Sequence, residues 1–166
     1  MKTISLRLRS VVLFLSLGLT LTVSQAGCAS PSSDSPTTVE NDYAQYWSVL
    51  QNVRADPGVP VASLESVAAG LLLRSLTSDV TSMRAIGDVY VGAPQRKVQS
   101  VEVDGDRAYV LDCVDISSWL LAPEATKIAI SGQLIQPGAS LYEFTLAQKD
   151  EYWFVTVSQQ VDSCTL

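Results

Sequence analysis

Residues 97–114 read Lys-Val-Gln-Ser-Val-Glu-Val-Asp-Gly-Asp-Arg-Ala-Tyr-Val-Leu-Asp-Cys-Val. Two β-rich runs, Lys97 to Val103 and Arg107 to Val114, flank Asp104-Gly105-Asp106. An Asp-Gly pair between alternating runs is a strong hairpin signal, because tight hairpin turns require the positive φ that glycine adopts without strain. Leu141 to Ala147 and Tyr152 to Val161 lie around Lys149-Asp150-Glu151 and read as a second hairpin. Asp88 to Val91 reads as a short strand, broken by Gly92-Ala93-Pro94. Upstream of it the periodicity is helical. Helices first and antiparallel hairpins afterwards predict an α+β fold, with N-terminal helices packed on one face of a curved antiparallel sheet.

The first helix is expected over Val39 to Arg54, where Tyr43, Tyr46, Trp47, Leu50 and Val53 recur at intervals of three and four and so share a face. Thr37-x-x-Glu40 fits a capping box at its start, and Asp56-Pro57-Gly58 stops it. Three aromatics at this spacing read first as core and second as a ligand wall, since aromatic rings bury large areas wherever they find a partner surface. A short helical piece from Ser63 to Val67 and a longer helix from Ala69 to Ala85 follow. The longer helix carries Leu72, Leu73, Leu76, Val80 and Met83 on its stripe, and Gly87 is placed to end it. Ser117-Ser118-Trp119-Leu120 leads into a loop, and Pro123 to Gly138 shows no clear period.

The N-terminal segment indicates where the protein works. Lys2, Arg7 and Arg9 precede an apolar run from Val11 to Val23, which is shorter than the roughly 20 residues a spanning helix needs. Ser24-Gln25-Ala26-Gly27-Cys28 then resembles a lipobox, in which lipid such as palmitate joins the cysteine thiol and cleavage makes that cysteine the N-terminus. Ordinary cleavage after Ala26 is the alternative. Cysteine arithmetic favours lipidation: the chain has only Cys28, Cys113 and Cys164, and modifying Cys28 leaves an even pair for an oxidising compartment. The expected organisation is a signal over 1–27, a lipidated Cys28 with a Ser/Pro/Thr stalk over 28–38, and one domain over 39–166. The domain would sit at the outer face of the cytoplasmic membrane, tethered through Cys28, with a structural Cys113–Cys164 bridge pinning its C-terminal strand to the strand before it in the sheet.

Composition excludes several chemistries. The 166 residues contain no histidine, so Ser-His-Asp and Cys-His catalysis lack their proton carrier and the usual imidazole metal ligands are missing. No metal or cofactor is expected. Positions three before Lys97, Lys127 and Lys149 are Pro94, Glu124 and Leu146, so no Ser-x-x-Lys pair occurs. Glycine patterns for nucleotides or for a nucleophile elbow are absent as well. Three of the eleven basic residues belong to the signal, leaving eight against seventeen acidic ones, a formal charge of −9. Such a domain repels nucleic acid.

The Tyr/Trp-rich first helix, the stretch Asp112-Cys113-Val114-Asp115-x-Ser117-x-Trp119 and the terminal Ser163-Cys164 together resemble a family of secreted actinobacterial lipoproteins with an NTF2-like fold. The resemblance runs from about Val39 to Leu166. It implies a cone of helices against a strongly bent sheet, with an interior pocket and possible homodimerisation, and it carries no assigned activity. Within such a cone Tyr43, Trp47, Tyr109 and Trp119 are the expected ligand-binding residues. The expected function is non-enzymatic binding of a small, mostly apolar ligand or of an envelope protein. The alternative is an isomerase or dehydratase using a carboxylate and a tyrosine, with Asp112 and Asp115 as candidate acids or bases. Strand alternation places those two aspartates on opposite faces, so at most one enters the cone. Trp119 is either a lid at the pocket mouth or a plug that fills it.

Overall fold

Ser35 and Pro36 start the first helix earlier than its periodicity suggests. The computed structural model describes residues 35–133 and 138–166. The expected signal, Cys28 and the stalk up to residue 34 lie outside the described residues. Helix α1 spans Pro36–Ala55, with the Ser35 hydroxyl accepting from the Thr38 N–H at 3.2 Å. The cap is therefore Ser35 rather than Thr37 with Glu40, and the end of the expected stalk forms the first helical turn. Proline suits this place because the N–H it lacks has no partner in a first turn. The expected α1 stripe Tyr43, Tyr46, Trp47, Leu50 and Val53 is buried, and Val39 is buried with it. A 3-10 turn over Val61–Ser66 leads to α2, Gly70–Ala85. From α2, the Arg84 guanidinium donates to the carbonyls of Val53, Asp56 and Val59 at 2.6, 3.1 and 2.8 Å, satisfying acceptors left over at the end of α1.

Six strands follow: β1 Asp88–Val91, β2 Gln95–Asp104, β3 Arg107–Asp115, β4 Leu120–Pro123, β5 Ser140–Lys149 and β6 Tyr152–Ser163. Four of them make an antiparallel sheet in the order β2-β3-β5-β6, and β1 pairs with β4 in a small second ladder. Among the described residues these strands do not close into a barrel. Helices cover one face, where Tyr43, Val53, Val110, Leu146, Trp153 and Val155 are almost completely buried. The start of α2 is tied to β6, with Val155 N–H donating to the Val67 carbonyl and Ala69 N–H to the Val155 carbonyl.

Strand β4 falls where a loop was expected. Leu-Leu-Ala-Pro is four residues long and does not alternate, so it carries no strand period. Its order comes from partners. Gln133 brackets Leu121 with its side-chain amide, accepting from Leu121 N–H and donating to Leu121 C=O, both at 2.9 Å.

The ladder also contains a bulge between Val98 and Ser100 in β2. After it Val101 and Val103 face the core opposite Val110 and Ala108; before it the parity is the reverse, and Arg96 and Val98 lie opposite Val114 and Asp112. Cys113 and Cys164 form the expected disulfide, with Cα atoms 5.9 Å apart. Its path differs from expectation, since β5 lies between β3 and β6. Cys164 follows the end of β6, where its N–H donates to the Ala139 carbonyl, and the bridge reaches β3 around the start of β5. Closing a loop of this length stabilises by about 4 kcal/mol on the chain-entropy view.

Candidate functional site

Among the described residues, Asp112 is the one carboxylate with no solvent exposure. It sits on the core face of β3, and Oδ2 accepts from the Tyr43 hydroxyl at 2.8 Å and from Arg96 Nη1 at 3.2 Å. The Arg96 guanidinium lies over Tyr43 and Trp47, 5.4 and 4.9 Å from their ring centroids. The α1 stripe thus supplies two aromatic surfaces, and the β2 bulge turns Arg96 onto them. Oδ1 of Asp112 and the Trp47 indole nitrogen are buried with no hydrogen-bond partner among the described residues. Burial pushes the Asp112 carboxyl above its ordinary range, against the opposing pull of Tyr43 and Arg96. Burial and then the Asp112 charge drive the Tyr43 phenol far upward, so it remains a donor. Tyr46 is raised to about 12 by burial.

Asp115, three residues on, is placed differently. Its Oδ1 accepts from Ser117 N–H at 2.8 Å, and the Ser117 side chain, followed by that N–H, lowers its pKa. The effect is local: Asp115 holds a turn in which Trp119 N–H donates to the Ile116 carbonyl at 2.9 Å. Ser118 Oγ then donates to the Ala93 carbonyl at 3.0 Å. Gly92 passes so close that a Cβ there would run into the Ser118 carbonyl oxygen, which accounts for glycine at this position. These contacts set Trp119.

Trp119 is nearly buried and separates two clefts. On its inner side a cleft of about 260 Å³ runs between α1, α2 and the sheet, lined by Tyr46, Trp47, Leu50, Leu76 and Phe144 among others. On its outer side a cleft of about 380 Å³ is lined by Tyr90, Ile116, Leu120, Leu121 and Gln133. Arg54 borders both. Its guanidinium lies 5.0 Å from the ring centroids of Tyr90 and of Trp119. Trp119 is therefore a partition, and open space remains on each side of it.

Of the four expected ligand-binding residues, Trp47 and Trp119 meet at the inner cleft, their rings 6.2 Å apart. Tyr43 joins Asp112 instead. Tyr109 is not brought to either group, because it alternates with the core residues Ala108 and Val110 and lies on the opposite face of β3. Sequence reading overlooked Arg54, Arg96 and Phe144. Arg54 carried a signal, since it continues the 47-50-54 spacing of the buried stripe. Phe144 shared the alternation of Tyr142 and Leu146. No group of three or more potential metal ligands occurs among the described residues, and no helix among them is long and apolar enough to cross a membrane.

No protein-family model matches the chain, and no curated protein matches it in sequence. Among solved structures, it is similar to the intermembrane-space region of chloroplast protein ARC6, with a TM-score of 0.60 at 18% identity, covering 78% of this chain and 98% of that one. A de novo β-sheet design protein aligns at 11% identity over 76% of this chain and 90% of that one, with a TM-score of 0.37 that carries no weight. The likeness to the ARC6 region concerns the fold: helices on a curved antiparallel sheet.

Proposed function

We propose that this chain is a lipid-anchored, extracytoplasmic domain of NTF2-like type that binds a small, mostly apolar molecule and catalyses nothing. The observation that carries the reading is the inner cleft. Its lining is aromatic and aliphatic apart from Ser158 and one cation, Arg54, which is the composition of a site that recognises shape and apolar surface. Burying aromatic and aliphatic area at about 25 cal/mol per Å² makes such a cleft a binder without any reacting group. The Cys113–Cys164 bridge supports an oxidising compartment, and the residues around Cys28 support the anchor. Native mass spectrometry of residues 30–166, after incubation with envelope extract of the producing cell, tests the binding. A reproducible added mass of small-molecule size is expected. A clean mass beside a co-purifying polypeptide would replace the ligand with an envelope partner. For the anchor, an unmodified membrane-extracted chain beginning at Gly27 would end the claim.

One observation favours an enzyme: Asp112 and Tyr43 are in hydrogen-bond contact, and the carboxyl is raised by burial. Proton transfer to a substrate needs that carboxyl within reach of a bound molecule. Asp112 lines neither cleft beside Trp119, and Arg96 and Tyr43 occupy its Oδ2. The pair therefore reads as structural.

A further inference from the structure

Arg54 narrows the chemistry of that ligand, an inference that rests on the cleft being a binding site. It is the single charged residue lining the inner cleft, and also the single one lining the outer cleft. Its side chain is only 13% exposed, and its guanidinium packs against both Tyr90 and Trp119, whose own ring centroids are 4.8 Å apart. Contact with aromatic rings uses up none of the N–H donors of a guanidinium, which form a rigid fork matched to a carboxylate. Five such donors exist on an arginine. Among the described residues, Arg54 makes one hydrogen bond, a long 3.4 Å contact to Asp79, whose side chain is 68% exposed. A pair so open to water is weakly held and easily exchanged.

From this geometry we infer that the ligand is a medium-chain monocarboxylic acid, its carboxylate on the Arg54 fork and its apolar body against Trp47, Phe144 and Leu76. Asp79 meets the same guanidinium from a neighbouring pocket, which it lines with Asp88, and its charge competes with the carboxylate for Arg54. Size sets the chain length. At about 260 Å³ the inner cleft lies just below the usual range for ligand pockets, about 300–1,000 Å³, which leaves no room for a long acyl chain. The chain's net negative charge opposes an anion at long range, but salt screens that repulsion within about 8 Å at physiological ionic strength. The Arg54 contact, partly desolvated, is screened much less.

Calorimetric titration of residues 31–166, the compact unit that carries every described element and the disulfide, with octanoate and with octanol tests the inference. Octanoate is expected to bind at least about tenfold more tightly than octanol, the scale of a hydrogen bond to a charged group. Arg54→Gln should abolish that preference while octanol binding persists. Asp79→Asn, at an exposed position that the fold does not need, should tighten octanoate a few-fold and leave octanol unchanged. Equal binding of the two probes, or no response to Asp79→Asn, would overturn the carboxylate while leaving the apolar cleft in place. Binding of neither would remove the cleft reading itself.

Discussion

Arg96 and Arg54 have nearly the same surroundings and opposite situations. Each guanidinium lies against one tyrosine and one tryptophan, and each meets one aspartate. Arg96 meets Asp112, which has no exposure; Arg54 meets Asp79, which is mostly in water. The first pair is closed from inside the protein, because strand β3 delivers the acceptor into the core. The second is closed only by a surface side chain. What differs is the dielectric around the acceptor, and on the proposed reading this makes Arg96 structural and Arg54 the residue that takes a ligand.

The contrast is broken most strongly at Arg96. Arg96→Ala leaves the Asp112 carboxylate buried with Tyr43 alone, and urea unfolding should show a loss of about 3–5 kcal/mol. A loss below about 1 kcal/mol would mean that the pair is not closed. On the open side, Trp119→Ala joins the two clefts and should cost about 3 kcal/mol, the low end for a buried tryptophan, since space already flanks the ring. Stability and ligand titration measured on the same variant separate partition from mere filler. Tyr43→Phe removes one hydrogen bond to a charged acceptor and should lower stability by about 1–3 kcal/mol. Asp79→Ala should change stability by less than about 1 kcal/mol, as exposed pairs do.

Acidity gives a finer test with two opposite signs on one strand. The folded Asp112 carboxyl titrates above the unfolded value, so the folded state holds its proton more tightly. Between the ordinary carboxylate range, near 4, and that raised value, the Asp112 contribution to stability grows as pH falls. Asp115 is lowered by Ser117, so its contribution is present above the ordinary value and is lost as pH falls through the lowered one. Melting curves of the parent, Asp112→Asn and Asp115→Asn from pH 7 to pH 3 should therefore move apart in opposite directions. Parallel shifts for the two variants would contradict the different burial of the two carboxylates.

Much of the architecture was legible because it is written in short-range patterns. The α1 stripe, the Asp-Gly hairpin and the Lys149-Asp150-Glu151 turn each depend on a few adjacent residues, and all three appear where expected. Strand β4 was not legible, since its order comes from β1 and from the Gln133 side chain rather than from its own period. The start of α1 lies at Ser35 rather than at Thr37, and both residues carry the hydroxyl that a cap needs. At the site, Trp47 and Trp119 meet at one cleft, and Asp112 contacts Tyr43. Arg96 was hidden for a definite reason. Counting back from the hairpin places Lys97, not Arg96, on the core face, and only the bulge at Gln99 exchanges them.

By itself the sequence determined the class of fold, the pairing of Cys113 with Cys164 and the exclusion of histidine-dependent chemistry, because periodicity, cysteine count and composition need no knowledge of distant contacts. The tertiary structure decided which arginine meets a buried carboxylate and which meets an exposed one. It also decided that Asp112 is spent on Tyr43 and Arg96, and that Trp119 divides two clefts. Those outcomes depend on a bulge and on contacts between residues tens of positions apart, and strand parity and long-range packing leave no local trace in the chain.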